Sequence, residues 1–421
     1  MKIKAAILLL VISNALAAQD TITLFECHRK AHENAPRLAD REFIRQIGEL
    51  QVNQAKTNWY PTLDLNGRLS YQSDVVTVAL TDPGIPAEFP EVPHDQYGLN
   101  LDVRQTLYDG GITRQQKQYE EIKAAADLQQ LEVDLYGLKT RVNQYYFAIL
   151  VLQENLRNLE IHMDNLLNRQ EVMKSAIEQG IILESELKVI DVEILRIRQS
   201  IVDVESQKRS FINALNVLCG TGLREGVMLE IPEFSGYSMD KVNRPEYRLF
   251  ELQDASMEAG KELTGKKRMP VLYAFGQTGY GKPGYNMLSG EWDFYYMLGA
   301  GLKWNIWDWN RTGREKQVIE NQQQMLRNQR ATFDKEIESL LVQEEANMQR
   351  FRESMELEEQ VLVLQKEISI HAANKLSNGT ITATDYITEL NKESLARINL
   401  ATHRVRLQQS ITNYLTIRGN L

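Results

Sequence analysis

Apolar and polar positions along this chain change period in a fixed order, and that order occurs twice. From Thr62 to Gln72 the period is two: Leu63, Leu65, Leu69 and Tyr71 share one face, and Asp64, Asn66, Arg68, Ser70 and Gln72 share the other. A second such run sets Tyr97, Leu99, Leu101, Val103 and Leu107 against Asn100, Asp102, Arg104 and Thr106. Period-two alternation predicts strands with one apolar and one polar face, here about 61–73 and 96–107. After Asp109-Gly-Gly the period lengthens. Leu128, Leu131, Leu135, Leu138, Val142, Tyr145, Ile149, Leu152, Leu156, Leu159, Met163 and Leu166 are spaced by alternating steps of three and four. That heptad predicts a coiled-coil helix over 112–178, a rod of roughly 100 Å at ~1.5 Å per residue. Gly180 breaks it, and a return helix is expected over 184–218.

The second half repeats the series. Strands are expected at about 270–281, where alternation is poor, and at 293–306, where Phe294, Tyr296, Leu298, Ala300, Leu302 and Ile306 oppose Gly299, Gly301, Lys303 and Asn305. A rod over 311–376 follows, with Gln and Glu in many seam positions, then a break at Asn378-Gly379 and a return helix over 384–417. A helical stretch precedes each strand pair, in the first half from about Ala39 to Asn58. The residues themselves also recur. Asn34-Ala-Pro-Arg returns as Asn243-Arg-Pro-Glu, and Tyr60-Pro-Thr-Leu as Met269-Pro-Val-Leu, both 209 positions on. From Leu99 onward the offset is 199, pairing Leu107-Tyr108-Asp109 with Ile306-Trp307-Asp308 and Gly180 with Gly379. One ten-residue indel reconciles the halves. A repeat of this length is a duplicated structural unit, too long for a solenoid period. The expected organisation is a first repeat over 18–220, a linker over 221–242 and a second repeat over 243–421.

Residues 1–17 stand apart. Met1-Lys-Ile-Lys4, an apolar run from Ala5 to Ile12 and Ala15-Leu-Ala17 form a basic, apolar and cleavage-site series, the pattern of an export signal. No later apolar run approaches the length of about 18 residues that a membrane helix needs, so membrane entry would fall to the strands. The formal charge of -9 leaves no basic stripe for phosphate neutralisation, which argues against nucleic acid as a partner. Cys27 and Cys219 are the only cysteines. A disulfide and two buried thiols are both compatible with the sequence.

Strands of about ten residues with one apolar and one charged face suit a transmembrane barrel with a wet lumen. They also suit a soluble antiparallel sheet packed on one side. Aromatic placement separates the two. All five tryptophans lie at or beside predicted strand ends, with Tyr60, Tyr108, Tyr295 and Tyr296 near them; a barrel needs such girdles. Each repeat supplies two strands, so one chain supplies four, too few to close. Closure takes several copies, and three would give twelve strands with room for a channel.

In this order and duplication, the Asn34 and Asn243 openings, the Tyr60-Pro-Thr-Leu strand entry, Leu107-Tyr-Asp-Gly-Gly111 and the Gly180 and Gly379 turns resemble the TolC-type outer-membrane efflux protein family. The resemblance implies an α+β membrane protein: a homotrimer whose twelve-stranded outer-membrane β-barrel continues into a periplasmic α-helical barrel, with 221–242 as an equatorial linker. It implies an exit channel of a tripartite efflux or type I secretion system in a Gram-negative-type outer membrane, docking a periplasmic adaptor and an inner-membrane transporter. No cofactor is implied. Carried over by position, Gly180 and Gly379 are the tip turns, and Glu186 and Asp385 are the acids that would narrow the periplasmic entrance. The alternative for those acids is ordinary residence in a first helical turn, where negative charge is favoured. Asp64, Arg68, Asp102, Arg104 and Lys303 would face the lumen. Trp59, Tyr60, Tyr108, Trp304, Trp307 and Trp309 would sit at the membrane interface. The competing class is a soluble periplasmic coiled-coil adaptor or scaffold.

Two further patterns invite chemistry. Gly276-Gln-Thr-Gly-Tyr-Gly281-Lys282 has phosphate-loop spacing but continues with Pro283, so it lacks the hydroxyl that would hold magnesium. His28 and His32 lie one helical turn apart beside Cys27, without a fourth metal ligand nearby. Nothing resembles a nucleophile with its base, and no enzyme is read.

Overall fold

The computed structural model describes residues 21–76, 92–234, 242–287 and 290–421. The export signal over 1–17 and most of the proline-rich stretch 81–93 lie outside the described residues. In chain order the elements are β1 (Thr21–Ile22), α1 (Leu24–Glu33), α2 (Asp40–Lys56), β2 (Thr62–Tyr71), β3 (Asp95–Tyr108), α3 (Ile112–Glu178), α4 (Glu184–Cys219), β4 (Met228–Leu229), α5 (Pro245–Lys266), β5 (Val271–Lys282), β6 (Asp293–Lys303), α6 (Arg311–Ser377) and α7 (Ala383–Arg418). The last expected strand stops at Lys303, three residues short of 306. Its partner β5 begins at Val271, paired with Lys303, and Pro270 before it has no N–H with which to extend the ladder.

Compact units cut across the repeats. One comprises Met1–Asp40, Gln130–Arg248 and Arg330–Leu421; the other comprises Arg41–Gln129 and Leu249–Gln329.

The first unit is built on helices. Along α3 the heptad residues Leu131, Leu135, Val142, Ile149, Leu152 and Leu166 are buried. Around residues 142–150 burial widens beyond a seam, because Tyr146, Phe147 and Leu150 are also enclosed, packed with Ile22, Leu24, Ile212, Leu215 and Leu229. The short parallel pairing of β1 with β4 closes this core. Tyr146 Oη, fully buried, lies 2.7 Å from the Glu230 carbonyl and 3.1 Å from that of Ile22. Helix α1 opens with a capping box between Thr23 and Glu26.

The recurring asparagines join the ends of each repeat. Asn34 Nδ2 donates to the carbonyls of Val217 and Leu218, the last turn of α4. There Gly220 is left-handed (φ 61°), and a Cβ on it would lie 2.4 Å from Asn34 Oδ1. In the second repeat the Asn243 amide donates to Arg418 O at 2.7 Å beside left-handed Gly419. Each repeat therefore starts against its own last helix, and helix C-termini favour glycine for this conformation.

The second unit carries a four-stranded antiparallel sheet in the order β2-β3-β5-β6. The middle pair joins the two repeats. Register places Leu65 opposite Leu101, Leu99 opposite Tyr280 and Tyr280 opposite Phe294, so one face is apolar across all four strands. That face is bare: Leu65, Leu69 and Leu298 are 68%, 75% and 78% exposed. The opposite face is polar, with Asp64 opposite Asp102 and Asn66 opposite Asn100. In β5 it carries Tyr273 and Phe275, whose rings cover Gly301 and Gly299. Aromatics at those inward positions are why β5 does not read as an alternating strand.

Candidate functional site

Two places concentrate the expected functional residues. The first is the tip of the helical hairpins. Gly180 and Gly379 are both left-handed, φ 73° and 66°, and end α3 and α6. The tips touch: a Cβ on Gly379 would lie 3.5 Å from the Ile181 carbonyl. Beneath them Ile190, Ile194, Leu376, Ala383, Tyr386 and Leu390 form a small core.

Both expected acids are engaged here. Asp385 is the third residue of α7 and closes a capping box. Its Oδ2 accepts from Thr382 N at 3.1 Å and Thr382 Oγ1 at 2.7 Å, while its own amide donates to Thr382 Oγ1. The Thr382 hydroxyl and amide hold its carboxyl below the usual range, so it stays ionised at neutral pH. Glu186 belongs to α4 but serves α7. Its Oε2 accepts from the Ala383 amide at 2.6 Å, satisfying a first-turn donor of the other hairpin. The resemblance sets Glu186 among the acids that narrow the entrance, with first-turn residence as the alternative, and neither reading names this partner in α7. A second tie was missed as well. Arg169 of α3 donates to Ser377 Oγ at 2.8 Å and to Ala373 O, with its guanidinium over the Tyr386 ring. Only the 217-position separation of Arg169 and Tyr386 hides this contact; nothing local signals it.

The second place is the polar face of the sheet. Asp102 accepts from Asn66 Nδ2 at 2.7 Å and from Gln277 Nε2 at 2.6 Å. Arg104 stacks on Tyr273, 4.8 Å from the ring centre, and Tyr295 Oη donates to Asn100 Oδ1. By register Asp64 faces Asp102, and Lys303 ends the same face beside Val271. Arg68 shares the face, opposite Gly98.

The expected interface aromatics gather at one end of this sheet. Trp59 and Tyr60 precede β2, Tyr108 ends β3, and Trp304, Trp307 and Trp309 follow β6. Trp307 and Trp309 pack edge to face and are 70% and 78% exposed. At the other end Trp292 stacks on Tyr280 and lies against Tyr97, and Tyr71 stacks on His94. Gln105 Nε2 donates to the Trp59 carbonyl at 2.6 Å, fixing the entry to β2.

The other patterns resolve structurally. Residues 276–282 are part of β5 and form no loop. His28 is buried, with its Nε2 paired to Asn143 Oδ1 at 2.7 Å, while Asn143 Nδ2 donates to Thr416 Oγ1. Burial pushes the His28 imidazole down to about 4. Both cysteines are buried free thiols. Among the described residues no helix is long and apolar enough to cross a membrane.

Residues 28–221 match the family model described as outer membrane efflux protein, which bears out the resemblance read from the sequence. No curated protein matches in sequence. Solved structures match along nearly the whole chain. The outer membrane protein VceC from Vibrio cholerae is 14% identical, with 94% of this chain and 96% of that one covered and a TM-score of 0.67. The open state of the Neisseria gonorrhoeae MtrE outer membrane channel is 14% identical, with 94% and 88% covered and a TM-score of 0.68. The Campylobacter jejuni CmeC outer membrane channel is 14% identical, with 94% and 85% covered and a TM-score of 0.63. At such identity the likeness is one of fold.

Proposed function

We propose that this protein is the outer-membrane exit channel of a tripartite efflux or type I secretion system, a passive conduit gated at its helical tips. The match of residues 28–221 to an outer membrane efflux family supports the membrane and the transport role. The observation that carries the reading is the sheet: its apolar face is bare and, among the described residues, both edge strands, β2 and β6, are unpaired on their outer sides. Such edges are not tolerated in hydrocarbon. In an antiparallel order of four the two edges run in opposite directions, so β6 of one copy beside β2 of the next continues the pattern. Three copies close twelve strands around the face carrying Asp64, Arg68, Asp102, Arg104 and Lys303. Exposed apolar residues along α6, among them Met325, Val342, Leu357, Val361 and Leu364, supply contact surface for neighbouring copies.

Transport in this reading is driven elsewhere. An inner-membrane transporter provides energy, a periplasmic adaptor bridges to the tips, and the protein contributes a lumen, a charge pattern and a closure. Glu186 and Asp385 place carboxylates at each tip pair, and rings of carboxylates filter by charge. The soluble adaptor alternative is disfavoured, because the solved structures sharing the fold include outer membrane channels and a packed soluble sheet would cover Leu65 and Leu69. Reconstitution into planar bilayers tests the proposal. Trimeric particles that need detergent for extraction and give discrete conductance steps are expected. A monomer that stays in solution after washing without detergent and carries no current would end it.

A further inference from the structure

The buried core of the first unit holds a group that the channel reading does not use. Cys27 sits in α1 with no exposed surface, and Cys219 is the last residue of α4, 3% exposed. Both belong to one packed cluster with Ile22, Leu24, Ala31 and Leu215. Cys219 Sγ donates to the Cys27 carbonyl at 3.4 Å. Interaction between the two thiols lowers the Cys219 thiol and raises the Cys27 thiol. Two thiols facing each other across a helix pair behave as small hydrophobes in a reducing compartment. In an oxidising one they are neighbours within reach of a bond.

We infer that Cys27 and Cys219 are an oxidisable pair that becomes a disulfide as the exported chain folds, tying the start of the first repeat to its end. In the cell this rests on the outer-membrane reading, because only export delivers the chain to an oxidising compartment. The reaction is thiol–disulfide exchange with a small-molecule or protein disulfide as oxidant. One cysteine thiolate attacks a sulfur of the oxidant and releases one thiolate. The other cysteine's thiolate then attacks the mixed disulfide at the first cysteine's sulfur and releases the second. The cysteine pair loses two electrons, the oxidant's disulfide becomes two thiols, and the two cysteine protons end on the departing sulfurs. Both sulfurs are enclosed in the finished core, so exchange takes place before α1 docks on α4.

The bond would close a loop holding β2, β3 and the whole first helical hairpin. It acts beside the crossing where Asn34 already holds the carbonyls of Val217 and Leu218. The disulfide would therefore secure a seam for which the second half has no thiol at the equivalent place, since the position matching Cys219 is Arg418.

The test is made on purified full-length protein, unfolded, reduced and refolded into detergent with oxidised glutathione in excess over reduced. It is then alkylated under denaturing conditions and digested with trypsin. Expected is a linked species joining the peptide that ends at Arg29 to the peptide 210–224, two hydrogens lighter than the free pair and lost on reduction. Alkylation of both cysteines without reductant would overturn the inference. A second measurement separates the bond from packing: reductant should lower the melting temperature of wild type and leave that of Cys27→Ser/Cys219→Ser unchanged. A wild type indifferent to reductant would also overturn it. Fractionation of cells expressing the full chain tests location separately: absence from the outer membrane removes the channel reading without touching the refolding result.

Discussion

Replacing Glu186 tests whether the two hairpin tips are joined by a bond that matters. Its carboxylate accepts from the Ala383 amide at 2.6 Å, across the gap between the hairpins, at a half-buried position. A hydrogen bond to a charged acceptor contributes about 1.5–3 kcal/mol when shielded, and partial exposure puts this one near the lower end, about 1.5 kcal/mol. In Glu186→Ala the Ala383 amide also loses its partner beside the N-terminus of α7. At about 1.4 kcal/mol per tenfold, the ratio of separated to joined tips should rise roughly tenfold in each copy. If three copies open together, the factor compounds to about 10³. Glu186→Gln keeps an acceptor oxygen without its charge and should give roughly half the energetic effect. The assay is single-channel recording in planar bilayers, reading both the fraction of time at the larger conductance and the cation preference. Asp385→Asn adds a second arm, since it weakens a cap worth about 1 kcal/mol and removes a charge from the same rim. A Glu186→Ala/Asp385→Asn double variant with the conductance, open fraction and selectivity of wild type would refute the reasoning. Because both acids serve the first turn of α7, their effects should not add.

Leu65→Arg places a charge at mid-sheet on the bare face and should cost about 2–4 kcal/mol per copy on insertion; outer-membrane yield should fall sharply, while Asp64→Asn on the other face leaves yield intact and shifts selectivity. His28 is held neutral, its folded value about 4 against an ordinary 6.5, so the unfolded chain binds a proton first as pH falls. Stability is complete above 6.5 and is lost toward 4, about 2 kcal/mol by pH 5; thermal melts at pH 7 and 5 should show this loss in wild type and a smaller one in His28→Gln. Trp309→Gly removes about 1–2 kcal/mol of left-handed strain and should leave melting in detergent unchanged or higher, while membrane insertion declines; undiminished insertion would remove the anchoring role of this side chain.

The rods were legible to within a residue or so because their signal is long: twelve heptad positions in α3 agree with one another. Strand β6 was overrun because Trp304 to Ile306 still alternate, while the ladder is set by where β5 begins. Helix α1 and the β1–β4 bridge went unread, since ten and two residues carry little periodicity and the bridge partners lie 207 positions apart. For the site, residue type was legible and partnership was not. Asp385 in a first turn after Thr382 spells a capping box, yet nothing near Glu186 names Ala383. The recurring Asn34 and Asn243 signalled duplication; that they close on Gly220 and Gly419 requires the packed helices.

Comparing repeats position by position shows where the duplicate halves were free to diverge. Asp109 accepts from Gly111 and Thr113, and Asp308, at the 199 offset, accepts from Thr312, so both rods begin on the same acid cap. The turn between cap and rod is left-handed in both: Gly110 and Gly111 at φ 65° and 87°, Trp309 and Asn310 at φ 52° and 57°. Glycine suits that backbone and asparagine tolerates it, but a bulky aromatic there is strained. In the first repeat a Cβ on Gly110 would strike Met269 Cβ at 2.2 Å, so glycine is required by space as well as by torsion. In the second repeat the side chain points into the open, and Trp309 is among the most exposed aromatics of the chain. Inside the protein the Trp309 ring packs on Trp307. A strained backbone under a largely exposed side chain is the kind of feature that points to a role for that side chain. The same division runs along the rods. Helix α3 buries its heptad within the chain, whereas α6 leaves Val342, Leu357 and Val361 bare. The first repeat buries its rod positions in cores it shares with the second, where Val405 and Leu376 join them, while the second leaves a row of its own rod bare.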